Sequence, residues 1–588
     1  MLPLARAWQA ALNPEEFFVT VLRRARDDIA VGASAPSGPL SSGAPAWLAG
    51  WRPYALLALI CLALGLPGMA SLSPFDRDES RFMQATRQML ETGDVIAIRF
   101  QGEARNKKPV GIYWLQAASV AAFSDAASTA RWPYRIPSLL GALAAVLATF
   151  AAGAALFDRR TAFLGAAILG SSLLLIVEAH LAKTDACLLG ATTIALAALA
   201  RIYMADRGAP GAGRGTALVF WAALGAGILL KGPITPMVAG LTIAALAWAD
   251  RDRRWLKRLA PLLGVPLMLA IVLPWVVAIA ATTGGQFFAD AVGGDLVPKL
   301  MGGQESHGAP PGLYLLLVAI TFWPASLFVL PTLVHGWANR RRPAILFTLA
   351  WLVPTWIVFE LVPTKLPHYV LPAYPALALL TAAAVASGTE ILRPRWAWTK
   401  YVWGGGVVLF GGALIAVPLV LGTGFNPAAV PAAAALWTGA YLVWRSQRDG
   451  DVWRSAWAAL ISAGVAVAIA FAFVVPQLDT LWVSRRVAAA LERLGPAEAP
   501  PVSVGFHEPS LVFMLGTGTV LADTAADAAR HLGERAGAVA IVEANARPAF
   551  EAAAAERGLA VTALDRIEGI NYSNGRRVTL ALYRAARR

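Results

Sequence analysis

Residues 74–114 read PFDRDESRFMQATRQMLETGDVIAIRFQGEARNKKPVGIYW and directly follow the first long apolar run of the chain. Only 15% of the 588 residues are charged and 57% are hydrophobic, so a stretch this dense in ionisable groups needs a specific place in the fold. On either side of it the chain is written for a bilayer. Apolar runs long enough to span one recur from position 54 to about 475, which predicts a polytopic α-helical membrane protein and excludes a soluble globular body. The expected transmembrane helices lie near 54–71, 136–156, 161–178, 186–204, 215–230, 233–249, 261–281, 312–333, 344–361, 368–386, 401–422, 428–444 and 455–475, thirteen in all.

The short connections orient them. Segments 157–160, 205–214, 251–260, 334–343, 387–400 and 445–454 hold eighteen Arg and Lys, whereas 179–185, 231–232, 282–311, 362–367 and 423–427 hold four, so the basic set is assigned to the cytoplasm. Residues 74–114 and the tail after 475 then lie outside, together with four isolated lysines, Lys183, Lys231, Lys299 and Lys365. The RDRRWLKR run at 251–258 needs only the topological explanation.

Within the quoted stretch Asp76 and Glu79 have the spacing of a capping box, and Phe82, Ala85 or Thr86, and Met89 recur on one side of the helix that follows, with Arg81 and Arg87 elsewhere. This helix is expected along the membrane surface. A second amphipathic segment beginning near Pro109, with Ile112, Trp114, Leu115 and Ala118, returns the chain to the bilayer without spanning it; an additional span is the alternative. Together they bring Asp78, Glu79 and Arg81 near Lys107 and Lys108 at the outer mouth of the bundle. A carboxylate there can accept a proton or stabilise a developing positive centre, while Lys and Arg can neutralise a phosphate leaving group. The plainer alternative is that Asp76 and Asp78 cap a helix and the cations meet lipid headgroups.

Other outer segments carry polar clusters. FFADAVGGDLVPKLMGGQESHGAPPGLYLL at 287–316 supplies Asp295, Lys299, Glu305 and His307; EAHLAKTDACLLG at 178–190 supplies Glu178, His180, Lys183 and Asp185; ILLKGPITP supplies Lys231; and VFELVPTKLPHYVLPAYPALA at 358–378 supplies Lys365, His368 and Tyr369. Each can merely anchor a helix end. Their common side predicts a chamber facing the outer interface. The mixed side chains at 287–316 can also bind a divalent cation, although their irregular spacing assigns no ligand set.

The net charge of +14 sits largely in membrane-flanking loops, which points to anionic lipid as a partner and not to nucleic acid. Both cysteines, Cys61 and Cys187, fall in apolar spans, so neither a disulfide framework nor a thiolate metal cluster is expected. Residues 1–50 read as a cytoplasmic extension with a short amphipathic helix at 12–31 and a flexible linker, and 51–475 as the transmembrane core with its outer loop at 72–135. Residues 476–588 read as a small outer α/β domain. Its strands are PVSVGF, AVAIVE and RRVTLALYRA, its helices lie near 523–534 and 547–557, and a hairpin turns at Asn574-Gly575.

The stretches FDRDESRFMQATRQMLETGD, KKPVGIYWLQA, LLKGP and TKLPHYVLPAYPALA make the chain resemble the membrane glycosyltransferases that use polyprenyl-phosphate sugars. The similarity is greatest to the aminoarabinose lipid A transferase-like branch of the protein mannosyltransferase-related GT-C superfamily, and it covers roughly 54–588. It implies a multispanning GT-C core, surface helices in the first outer loop and an outer C-terminal domain. By the same resemblance Asp78 is the key acidic residue, Arg81 its basic neighbour, Lys108 a donor-phosphate ligand and Tyr369 part of the donor site. Glu79, Lys107, Lys299, Lys365 and His368 join them as candidate substrate-binding groups, with Asp185, Lys231, Glu305 and His307 as further candidates. Lys107 stands where the family often has Glu before Lys-Pro, and GGDLVPK replaces the Glu-His-containing segment of aminoarabinose transferases.

The implied reaction is glycosyl transfer from an undecaprenyl-phosphate-linked donor to an outward-facing lipid or glycan acceptor, lipid A or core lipopolysaccharide, at the periplasmic face of a bacterial inner membrane. No nucleotide cofactor is expected, and a divalent cation stays open. A protein or another envelope glycan as acceptor, a lipid-linked-sugar flippase, and a noncatalytic membrane scaffold are the alternatives.

Overall fold

The structure is a computed structural model that describes residues 46–207, 211–302, 308–495 and 498–585. The expected helix at 12–31, Glu305 and His307 lie outside the described residues. Gly50–Arg588 forms one compact unit.

Among the described residues eight helices are long and apolar enough to cross a membrane, or nine if Arg159–Gly170 and Leu173–Ala179, bent by 61°, form one span. Of the thirteen expected runs, those at 54–71, 161–178, 233–249 and 312–333 are corrected by helix length or continuity and that at 428–444 by composition, since its helix Ala429–Arg448 is unbroken over 20 residues but is not among those apolar enough to cross. The run at 54–71 yields a helix of only 14 residues, Arg52–Gly65, and that at 233–249 one of 16, Ile234–Ala249. The run at 312–333 is interrupted at Phe322–Pro324 between Leu313–Thr321 and the short turn Ala325–Phe328. Hydropathy counts apolar residues in a window and is blind to where a proline or a polar backbone breaks the helix. Gly111–Phe123, at 13 residues, is also too short to span, as its reading as a returning surface segment requires.

Small residues let the helices that carry the outer loops approach closely. A Cβ on Gly141 would lie 2.6 Å from the Cys187 backbone and one on Gly190 would lie 2.8 Å from the Gly141 carbonyl, so Trp132–Leu156 and Asp185–Met204 meet backbone to backbone. Gly111 does the same against Leu229, where a Cβ would be 2.7 Å from the carbonyl oxygen. That contact brings the Lys107-Lys108 segment beside the end of the helix Arg214–Lys231.

The helix Arg77–Thr92 begins as its sequence predicts. Asp76 is the N-cap, its Oδ1 accepting from the amides of Asp78 at 2.7 Å and Glu79 at 3.3 Å. The reciprocal half of the capping box is absent, because Glu79 turns its carboxylate to Arg135 instead. Phe82, Ala85 and Met89 pack into one apolar cluster with Ile112, Tyr113 and Leu230. The opposite side is not solvated as an interfacial helix would be. Arg87 is buried and donates to the Phe513 and Ala127 carbonyls, and Gln84 donates to Thr517 at 2.7 Å, so the C-terminal domain covers that face.

That domain is a five-stranded mixed sheet. With a small hairpin of β1 (Arg99–Phe100) and β2 (Glu103–Ala104) preceding it in the chain, its strands are β3 (Val502–Val504), β4 (Val520–Ala522), β5 (Val539–Glu543), β6 (Val561–Ile570) and β7 (Arg577–Ala585). The order is β4-β3-β5-β7-β6, with β3 parallel to β4 and β5, and β7 antiparallel to β5 and β6. AVAIVE is apolar on both faces because both are covered. Ala540 and Val542 face the helices Ala525–Glu534 and Arg547–Glu556, while Val539 and Ile541 face Val483–Arg493 and Leu511. The predicted strands and helices are present; the additional strands β4 and β6 were not anticipated. The hairpin is present too, but its loop runs over residues 571–576: Asn571 donates to the Arg576 carbonyl and accepts from Gly575 at 2.8 Å each. Gly575 has φ +71° and Asn574 is not left-handed, so this is not the two-residue turn that Asn-Gly suggests.

Candidate active site

The outer loops do converge. A chamber of about 760 Å³ is lined by the start of the helix Arg77–Thr92, the segment around Arg105–Lys108, Lys183–Asp185, Lys231, Asp295 and Lys299, the segment around Thr364–Tyr369, and Tyr572–Asn574 of the C-terminal domain. Eight cationic side chains and four carboxylates face it, so its surplus charge suits an anion. Lys183, Lys231 and Lys299 therefore share one side with the C-terminal domain, as the loop charges predict.

Asp78 sits at the centre with its side chain 50% exposed. Its Oδ1 accepts from Arg81 at 3.2 Å and from Arg105 at 3.5 Å. Burial alone would raise this carboxyl, but Arg105, Arg81 and Lys183 outweigh it and hold the group well below the usual carboxylate range. Asp78 is therefore a persistent anion and a weak base.

On one wall Lys108 donates to Asp295 Oδ2 at 2.7 Å and Lys299 to Asp295 Oδ1 at 2.6 Å, leaving one carboxylate shared between two ammonium groups. Desolvation, with Lys299 and Lys231 nearby, pushes Lys108 down to about 8 in spite of Asp295. On the facing wall Lys183 reaches Asp76 at 3.1 Å and Glu178 at 3.5 Å, and Lys231 reaches Asp185 at 2.5 Å while lying 5.2 Å from the centre of the Tyr369 ring. His368 bridges the two carboxylates, with Nδ1 3.5 Å from Glu178 and Nε2 3.8 Å from Asp185.

Glu178, Asp185 and His368 bring their ligand atoms within 4.8 Å of one another, a grouping that could hold a metal ion. Both carboxylates already face lysine ammonium groups, which occupy the electrostatic place of a cation. One buried oxygen, Glu178 Oε2, has no hydrogen-bond partner.

Of the residues expected at the site, Asp78, Arg81, Lys107, Lys108, Asp185, Lys231, Lys299, His368 and Tyr369 line the chamber. Two do not. Glu79 lies behind its wall, fully buried, 2.7 Å from an equally buried Arg135, and it also accepts from the Ala182 amide. Lys365 donates to the Glu360 and Val362 carbonyls at 2.7 Å each, closing the end of the helix Pro343–Leu361 as a cation does at a helix C-terminus. Arg77, Arg105 and Tyr572–Asn574 line the chamber without having been singled out. Arg105 lies within the opening stretch, between Asp78 and the lysines; nothing local marks Tyr572–Asn574.

Comparison with known proteins agrees with this arrangement. The family model for dolichyl-phosphate-mannose-protein mannosyltransferase matches residues 58–286. The undecaprenyl phosphate-alpha-4-amino-4-deoxy-L-arabinose arabinosyl transferase of Edwardsiella ictaluri is 29% identical over 345 residues, 58% of this chain and 60% of the relative. The protein of the same description from Pseudomonas savastanoi pv. phaseolicola is 30% identical over 348 residues, 58% of this chain and 62% of the relative. The chain thus spans about three-fifths of the length of these curated relatives. The crystal structure of ArnT from Cupriavidus metallidurans bound to undecaprenyl phosphate superposes with a TM-score of 0.70 at 20% identity, over 91% of this chain and 98% of that one. The same protein in the apo state gives 0.68 at 21% identity, over 90% and 97%. A polytopic helical core, a first outer loop carrying Asp78 and a C-terminal α/β domain closing over it give this chain the fold of the ArnT crystal structures, and over about three-fifths of its length its sequence is similar to the undecaprenyl phosphate-linked aminoarabinose transferases.

Proposed function

We propose that the protein transfers a glycosyl group from an undecaprenyl-phosphate-linked donor to an acceptor at the periplasmic face of a bacterial inner membrane. The observation that carries this reading is the pairing of a cationic chamber with an apolar groove beneath it. The groove, about 730 Å³, runs between Gly111–Phe123, Trp132–Leu156, Asp185–Met204 and Arg214–Lys231. Its lining includes Leu230 and Cys187, one and two residues from Lys231 and Asp185 of the chamber. An isoprenoid tail fits the groove while its phosphate meets the lysines. The relatives named for an undecaprenyl phosphate-linked sugar support the same donor class.

In the transfer the acceptor oxygen attacks the anomeric carbon, the bond from that carbon to the phosphate oxygen breaks, and undecaprenyl phosphate leaves. Lys108, Lys299 and Arg81 stabilise the departing phosphate, and the Asp78 anion stabilises the positive charge that develops on the sugar. Since Asp78 is held strongly ionised, it is poorly suited to take a proton from a hydroxyl. An acceptor already bearing an anionic oxygen, such as a lipid A or core phosphate, needs no such base and suits the site better. A divalent ion at Glu178, Asp185 and His368 is not required by any of these steps.

The test is reconstitution of the full chain in vesicles with a panel of undecaprenyl-phosphate sugars and with isolated lipid A and core acceptors, followed by mass analysis of donor and product. The expected result is a glycosylated acceptor and free undecaprenyl phosphate. Donor movement between leaflets with no glycosyl product would reject transfer in favour of a flippase.

A further inference from the structure

The C-terminal domain carries a second polar cavity that the transfer site does not use. In its sheet, β3 leads through the helix Pro509–Leu515 to the edge strand β4, whereas β5 leads through Arg547–Glu556 towards β6 at the other edge. These two helices cover opposite faces, Leu511 packing with Val539 and Ile541 and Phe550 with Ala540 and Val542. The connections that follow the adjacent parallel strands β3 and β5 therefore leave to opposite faces of the sheet, and the carboxyl ends of such a strand pair are where open α/β sheets form ligand crevices. A cavity of about 360 Å³ lies there, lined by Gly505–Glu508 after β3, Glu543 and Asn545 at the end of β5, and the hairpin residues that include Arg576 and Arg577.

Two features make this crevice more than a fold-level expectation. Gly505 has φ +85°, and a Cβ on it would sit 2.7 Å from the Glu543 Cβ, so the space beside Glu543 exists only because the strand ends in glycine. The crevice also continues into the active chamber, since Arg77, Ser573 and Asn574 line both. Glu508 organises this junction: it pairs with Arg77 at 3.1 Å and accepts from Asn571 at 2.9 Å and Ser573 at 2.8 Å. That leaves the exposed Arg576 and Arg577 beside a row of amide and hydroxyl groups. The Glu543 carboxylate also lines the crevice near Arg576, so the two guanidinium groups leave it net positive, and together with the neutral hydrogen-bonding side chains they suit a saccharide bearing a phosphate.

We propose that this crevice is the acceptor-recognition site: a phosphorylated saccharide docks between β3 and β5 against Arg576 and Arg577 and passes its reactive oxygen over Arg77 to Asp78. The inference rests on the transfer reading for its purpose, whereas the binding of the saccharide can be measured without it.

The test titrates full-length protein in nanodiscs with glucose 1-phosphate, with glucose and with inorganic phosphate. The expected result is saturable binding of glucose 1-phosphate at least about tenfold tighter than that of glucose or of inorganic phosphate. The combined change Arg576→Glu and Arg577→Glu should weaken it at least about tenfold, while Arg530→Glu, on the exposed side of Ala525–Glu534, leaves it intact. Preferential binding of inorganic phosphate would mark a simple anion site and overturn the saccharide assignment. Absence of glucose 1-phosphate binding, or equal binding by the wild type and the double variant, would overturn the proposal.

In the transfer assay the double variant should raise KM for a phosphorylated acceptor about tenfold, with kcat and undecaprenyl phosphate binding retained. Unchanged KM alongside active transfer rejects the acceptor role. No transfer by the wild type, with saccharide binding still lost in the variant, rejects the transfer reading and leaves the crevice assignment standing.

Discussion

Asp78 and Glu79 are consecutive carboxylates on one helical turn, and they live in opposite surroundings. Glu79 is sealed with Arg135 at 2.7 Å, both side chains fully buried, and Arg135 also donates to the Met69 and Leu72 carbonyls. Asp78 is half exposed to the chamber, between two guanidinium groups. The comparison separates two uses of the same chemistry. A charge sealed with its partner braces the wall, and a charge paired yet open to the cavity remains available to a substrate.

Breaking the sealed pair should have the largest effect. Arg135→Met leaves Glu79 as an uncompensated buried carboxylate and is expected to destabilise the protein by about 3–5 kcal/mol. Thermal unfolding in detergent would register this, and the double change Arg135→Met, Glu79→Gln should recover part of the loss. If the single variant unfolds like wild type, Glu79 and Arg135 do not brace the chamber.

Asp78→Asn should reverse the pattern, keeping the unfolding midpoint while reducing transfer by about 10²-fold, the scale of removing one preorganised charge from a transition state. Wild-type turnover by a correctly inserted Asp78→Asn protein would leave Asp78 as only a structural partner of Arg81 and Arg105. The contrast would then lose its functional half.

A smaller effect should appear with pH. Lys108 is cationic below about 8 and loses its charge as pH rises through that value, so donor-phosphate affinity should hold below pH 8 and fall above it. The decline should be about tenfold, the loss of one charge-assisted contact. Lys108→Arg, which stays charged, should flatten the profile. A decline that persists in Lys108→Arg would place the titrating group elsewhere.

Least of all should follow from Lys365→Met and from chelation. Lys365 serves the end of a helix and lies outside the chamber lining, so its loss should cost about 1 kcal/mol of stability with KM for donor unchanged. EDTA should leave transfer rates within about twofold, because Lys183 and Lys231 already face the two carboxylates of the Glu178, Asp185 and His368 group. Loss of activity on chelation, restored by a divalent ion, would show that these lysines do not replace a metal.

Local physics made part of this molecule legible. The Asp76 cap, the Phe82, Ala85 and Met89 stripe and the burial of AVAIVE depend on neighbours within a few positions or on alternation along one strand. Loop charge likewise placed Lys183, Lys231 and Lys299 on one side, because bilayer sidedness is imposed on each connection separately. These features, and the density of charge in residues 74–114, were determined by the sequence itself.

Tertiary structure alone decided the partners. Lys108 meets Asp295 across 187 positions and Arg135 meets Glu79 across 56, separations at which no periodicity carries information. Only the docked C-terminal domain explains why Arg87 is buried and why Tyr572–Asn574 line the chamber. Hydropathy overcounted the runs at 54–71, 233–249 and 312–333 for the same reason, since it sums transfer preference and cannot see a helix stop. Whether a lysine faces the chamber or caps a helix, as Lys299 and Lys365 differ, depends on which carbonyls and carboxylates the packed helices bring within about 3 Å.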